Sequence, residues 1–108
     1  MYKLIVALVK PEDTDEVVEA AREAGATGDV IIPGRGSGHK EAKAFFGLTI
    51  ENQVEMLLFV VSEGCCERII NSINAVCNFE EPGKGLLFAI ELEKVIGLQS
   101  QLKTNSSD

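Results

Sequence analysis

Two stretches of this chain are apolar at every position: Leu4-Ile5-Val6-Ala7-Leu8-Val9 and Met56-Leu57-Leu58-Phe59-Val60-Val61. Six residues is strand length, far short of the roughly 20 that a bilayer-spanning helix needs. Successive side chains of a strand point to opposite faces, so a strand wet on one side alternates apolar with polar. Neither stretch alternates. A sheet built on them therefore has to be covered on both faces, and the remaining sequence must supply the cover or leave it to something outside the chain.

The surrounding punctuation sets the order of elements. The first strand spans Lys3 to Val9 and stops at Pro11. Asp13 with Glu16 three residues later reads as a capping box, and Val17, Val18, Ala21 and Ala24 form the apolar stripe of the helix that follows. Gly25 is its stop signal. A second strand, Asp29 to Ile32, is expected to end at Pro33. From Gly34 to about Asn52 the chain reads as a long glycine-rich connection with a helical turn near Glu41 to Phe46. A loop of that length in a compact domain is usually functional.

Val54 to Val61 is the third strand, and Ser62 caps a second helix with Cys66, Ile69, Ile70, Ile73, Val76 and Cys77 at helical spacing. A loop from Asn78 to Gly85 leads into the last strand, Leu86 to Leu92, and a short continuation at Val95 to Leu98. Residues 1–98 thus read as one domain, with 99–108 as a flexible polar tail. The order β-α-β-β-α-β is the ferredoxin-like arrangement, an α+β fold with a four-stranded antiparallel sheet and both helices on one face. Two helices cover one side of four strands. The other side is expected to be buried against copies of the same chain, because a bare sheet of Leu and Val would be an unusual surface for a monomer.

Bulk properties exclude several partners. The formal net charge is −7, the opposite of what binding to nucleic acid phosphates or to an anionic membrane surface requires. With no apolar leader or spanning segment, direct membrane insertion is not expected and the cytoplasm is the expected compartment. The three cysteines, Cys65, Cys66 and Cys77, form no paired framework. Cys66 and Cys77 share a helix face but lie about 16 Å apart along its axis, beyond disulfide reach. Reduced thiols are expected.

Gly34-Arg35-Gly36-Ser37-Gly38 can cradle an anion with backbone N–H groups, Arg35 adding charge, or can be a plain hinge. No Gly-Lys-Ser/Thr closes it, so it is not a Walker loop. Gly83-Lys84-Gly85 is either a second phosphate contact or a turn set by Pro82-Gly83. Lys40 and Lys43 read as loop charges rather than anion contacts. Phe45 and Phe46 either tuck onto the body of the assembly or anchor a partner protein, and both readings stand. His39, the sole histidine, has no second ligand at a metal-binding spacing, so no metal site is expected. Cys65, near a helix start and off its apolar stripe, is the thiol best placed for redox sensing. No catalytic set emerges. An acylphosphatase of the same fold class would need an arginine-bearing loop where Lys10-Pro11-Glu12 stands. An enzyme is not expected.

Taken in order, these segments resemble the PII superfamily of nitrogen-regulatory signalling proteins, over residues 1 to about 98. Lys3-Leu4-Ile5-Val6-Ala7 to Pro11 resembles the family's first strand, and Asp15 to Ala20 the start of its first helix. Gly34 to Gly38 stands where the long T-loop begins, and Pro82-Gly83-Lys84-Gly85 with Leu86-Leu87-Phe88 resembles the B-loop entering the last strand. The resemblance implies a homotrimer and an effector, an adenine nucleotide or small anion, in intersubunit clefts at Gly34, Arg35, Gly36, Ser37, Gly38, Gly83, Lys84 and Gly85. It further implies a partner, a transporter or enzyme, regulated through the 34–52 loop, with a link to nitrogen metabolism or transport. A metal- or thiol-redox-responsive trimer of the same fold is the alternative.

The chain departs from the family pattern where phosphate is bound. Leu86 fills the place of a phosphate-binding lysine, Val54 the place of another lysine, and Val95-Ile96-Gly97-Leu98-Gln99 lacks the usual arginine pair. The T-loop is shortened and has no tyrosine, the only one being Tyr2, which rules out uridylylation of a tyrosine there.

Overall fold

The structure, a computed structural model, describes residues 1–35 and 53–98. Strand β1 (Tyr2–Val9) runs into a short 3-10 turn (Pro11–Asp13) and helix α1 (Thr14–Glu23). Strands β2 (Val30–Arg35) and β3 (Gln53–Ser62) follow, then helix α2 (Glu63–Val76) and strand β4 (Leu86–Leu92). The four strands form one antiparallel sheet in the order β2-β3-β1-β4. This is the ferredoxin-like α+β arrangement expected from the order of elements.

Registers assign each face. On the helix side Ile5 pairs with Phe59 and Ala89, and Ala7 with Leu57 and Leu87. Ile5, Ala7, Val9, Leu57 and Phe59 are fully buried under Val17 and Ala21 of α1 and Ile69 and Ile73 of α2. Both helices present apolar residues at three- and four-residue intervals, which places them on one stripe. Small residues on α1 let the helices approach: the Ser72 hydroxyl donates to the Ala20 carbonyl at 3.1 Å, and Arg68 Nε donates to the Ala24 carbonyl at 2.8 Å. Arg68 thereby satisfies a carbonyl that the end of α1 would leave open. Gly25 turns the chain there with φ 124°, and a Cβ on it would come within 3.0 Å of the Arg68 guanidinium.

The opposite face carries Leu4, Val6 and Leu8 of β1, paired with Val60, Leu58 and Met56 of β3 and with Ile90, Phe88 and Leu86 of β4. Val30 and Ile32 of β2 continue the row beside Leu58 and Met56. No described element covers it. Ile90 is 47% exposed, Phe88 37%, Val30 55% and Ile32 42%.

Several local expectations are corrected. The capping box on α1 does not form: Asp13 closes the 3-10 turn in a helical conformation (φ −98°, ψ −7°) and makes no side-chain cap bond. A capping side chain needs extended backbone, which the turn denies it. Ser62 is extended at the N-cap of α2 but likewise caps through no side-chain bond. Strand β2 does not stop at Pro33 but runs through it to Arg35. Pro33 is tolerated because β2 is an edge strand, where a missing donor can face away from the ladder. Val76, placed in the apolar stripe of α2, is exposed at the helix end. The helical turn at Glu41 to Phe46 and the tail at 99–108 lie outside the described residues.

Candidate functional site

Antiparallel pairing gathers the exits of β1 and β2 and the entries of β3 and β4 at one end of the sheet. Val9 stands opposite Glu55, Arg35 opposite Gln53, and Leu8 opposite Leu86. Gly34 and Arg35 therefore sit at the same end as Gly83, Lys84 and Gly85, as does Lys10. The two glycine segments belong to opposite edge strands, with β3 and β1 between them. At a strand spacing of about 4.8 Å that is about 14 Å. A single chain does not bring them together. Gly36, Ser37, Gly38, Phe45, Phe46 and His39 lie outside the described residues.

The loop before β4 is shaped by its own hydrogen bonds. The Phe79 amide donates to Asn74 Oδ1 at 2.9 Å, and the Glu80 amide to Asn78 Oδ1 at 3.2 Å. The Glu81 amide then reaches the Asn78 carbonyl at 3.1 Å. Gly83 has φ 85° and Gly85 φ 118°, and a Cβ on Gly85 would lie 1.9 Å from the Leu8 carbonyl oxygen. Glycine is thus required at Gly85 for the loop to lie on β1, whatever it binds. Beside it, Ile70, Asn74, Phe79, Gly85 and Leu87 line a groove of about 320 Å³ between α2 and β4, near the lower limit for a small-molecule site.

Charge at this end is mixed. Lys10 and Lys84 are half-buried and Arg35 is exposed, while Asp13, Glu55, Glu80 and Glu81 lie close by in sequence. Leu86 pairs with Leu8, so its side chain belongs to the bare apolar face and adds no cation.

Sequence reasoning gives no role to two residues that organise this end. The buried Thr14 hydroxyl donates to Glu55 Oε1 at 2.5 Å, tying the start of α1 to the start of β3. Cys77 Sγ lies 4.0 Å from both Asp13 Oδ2 and the Lys84 carbonyl. A lone Glu in the otherwise apolar run Val54 to Val61 is the available signal for the first; Cys77 is marked by its helical spacing as a core position, with nothing to signal its contact with the loop before β4.

The thiols differ. Burial pushes Cys77 above the ordinary thiol range, with Asp13 adding to the shift and Lys84 opposing it. Burial likewise raises Cys66, against the pull of Lys3. Cys65 is half-buried, and Arg68 Nη2 lies 3.4 Å from its sulfur. Among the described residues no group of three or more His, Cys, Asp or Glu is placed to hold a metal. No described helix is long and apolar enough to cross a membrane.

The fold defines a small ferredoxin-like protein with glycine-containing segments at one end of its sheet. Residues 2–101 match the family model described as nitrogen regulatory protein P-II, and the chain belongs to that family. It is 28% identical over 103 residues to the nitrogen regulatory protein P-II of Bradyrhizobium diazoefficiens, covering 91% of this chain and 92% of that protein. It is 27% identical, with the same coverage, to the counterpart in Azospirillum brasilense. Among solved structures, Arabidopsis thaliana PII bound to citrate superposes with a TM-score of 0.70 at 24% identity, covering 92% of this chain and 84% of that one. That likeness confirms the fold.

Proposed function

We propose that the protein is a non-enzymatic signalling regulator that works as a homotrimer. It binds a small anionic effector between subunits and controls a partner protein through its 34–52 connection. The observation that carries this reading is the placement of Gly34–Arg35 and Gly83–Gly85 on opposite edges of one sheet end, flanking a bare apolar face. Packing that face against copies buries the remaining exposed surface of Leu4, Leu58, Phe88 and Ile90, under half of each residue and so a fraction of the about 1.5–3 kcal/mol that full burial is worth. It also brings the edge strand of one copy beside that of the next, joining the two halves of the site. Membership of a regulatory family supports the same reading.

The charge supply favours an adenine nucleotide with one or two phosphates, or a small dianion, over a triphosphate. A triphosphate needs several cations or converging backbone donors, and Leu86 and the arginine-free Val95–Leu98 segment provide none. Calorimetric titration with ATP, ADP, AMP and inorganic phosphate tests this, beside the mass of the particle in solution. ADP or AMP binding more tightly than ATP, to a particle of three chains, is the expected result. A monomer that binds none of them defeats the reading.

The half-buried position of Cys65, in contrast to the buried Cys66 and Cys77, favours a second reading in which Cys65 answers to oxidants. Alkylation of Cys65 no faster than that of a free thiol in peptide would remove it.

A further inference from the structure

The two glycine segments lie three strands apart, yet both are tied to one short piece of chain, the turn from Pro11 to Thr14. On one side Cys77, buried at the end of α2, sits between Asp13 Oδ2 and the Lys84 carbonyl at 4.0 Å from each. Gly85 rests on the Leu8 carbonyl three residues before the turn begins, at a distance no side chain would permit. On the other side the Thr14 hydroxyl holds Glu55 Oε1 at 2.5 Å. Glu55 is two residues beyond Gln53, which pairs with Arg35 where the long connection returns to the sheet. The turn itself is closed by the Asp13 amide on the Lys10 carbonyl at 2.9 Å and by the Thr14 amide on the Pro11 carbonyl. It is therefore too short and too tightly bonded to move at one end alone. Thr14 is buried, so its hydroxyl takes its partner from Glu55 rather than from bulk water.

We propose that the Pro11–Thr14 turn couples the two halves of the site. A displacement of Gly83–Gly85 passes through Cys77 and Asp13 to Thr14, and from Thr14 to Glu55 at the stem of the 34–52 connection. This deepens the effector reading by naming how occupancy at one edge strand is felt at the other, and it rests on that reading only for what causes the displacement. Spatial intermediacy alone does not establish coupling. A double-mutant cycle does, because coupled sites depart from additivity and separate sites do not.

Gly83→Ala disturbs the loop by placing a Cβ on a residue with φ 85°, and Thr14→Val removes the hydroxyl while keeping the shape. The readout is amide hydrogen exchange of residues 53–57 in the full-length protein, normalised to residues 5–9 so that a global loss of stability does not count. Gly83→Ala is expected to speed the stem amides about fivefold in the native background and less than twofold on top of Thr14→Val. Glu55→Gln, which keeps an acceptor for the hydroxyl, should preserve the fivefold response. Equal acceleration in both backgrounds, or none in the native one, overturns the proposal. Should Thr14→Val fail to fold, Cys77→Ala cuts the link on its other side and carries the same cycle. Titration of the native protein with ADP runs alongside: absence of binding counts against the effector reading, while the cycle still decides the coupling.

Discussion

The two faces of this sheet are built from the same strands and the same kinds of residue, yet they stand in opposite conditions. Ile5, Ala7, Leu57 and Phe59 are sealed under two helices, while Leu4, Leu58, Phe88 and Ile90, one position along, are left partly exposed. The first face folds the chain. The second stays apolar and partly exposed, and the difference lies in topology, since two crossovers of one hand can place both helices only on one side.

Substitutions separate the two roles. Phe59→Ala empties a fully buried site and should cost about 3–5 kcal/mol, read as a fall in the urea midpoint. Phe88→Asp, on the bare face, should leave each chain folded by circular dichroism while the particle drops to the 11.7 kDa of one chain in ultracentrifugation. If Phe88→Asp unfolds the chain and Phe59→Ala splits the particle, the roles are assigned the wrong way round.

At the end of the sheet, Gly85→Ala drives a Cβ into the Leu8 carbonyl and should cost about 2–3 kcal/mol. Gly28→Ala, where nothing lies within 4 Å, should be close to neutral in the same denaturation assay. Thr14→Val strands the Glu55 carboxylate and should cost about 1–3 kcal/mol.

The smallest effect concerns pH. Burial holds the Cys66 and Cys77 thiols above their ordinary range. Because the folded state keeps these protons to higher pH than the unfolded one, the stability tied to them is fully present below the unfolded thiol pKa, about 8.5, and is lost above it. Stability should therefore be flat with respect to these groups at neutral pH and decline as pH rises from there through the raised folded values. Cys77→Ser should flatten that decline; an unchanged alkaline slope in the variant would show that burial of Cys77 is not its source. On the exposed side, iodoacetamide at neutral pH should label Cys65 well before the other two.

Periodicity was enough to read most of the framework. Leu86–Leu92 is a strand with the bounds its sequence suggests, and the uninterrupted apolar runs correspond to a sheet that is apolar on both faces. What stayed hidden has physical causes. Pro33 reads as a strand end because a proline is usually excluded from a ladder, and only the sheet order reveals β2 as an edge. Asp13 has the sequence of a cap, but a 3-10 turn fixes its backbone in the wrong region. The pairing of Thr14 with Glu55 spans 41 positions, and no local pattern encodes it. At the candidate site, Gly83 and Gly85 were legible as glycines that matter. That Gly85 is required sterically, for the loop to lie on β1, was not.

Pro33 has one more bearing on how these molecules live together. An outer strand rich in Val and Ile is an invitation to fibril growth, since each newcomer can add its own strand and leave a fresh rim for the next. A proline midway along β2, its absent donor turned outward, breaks that template. That leaves the bare apolar face, and not the edge of β2, as the surface through which copies of the chain would meet in the proposed trimer.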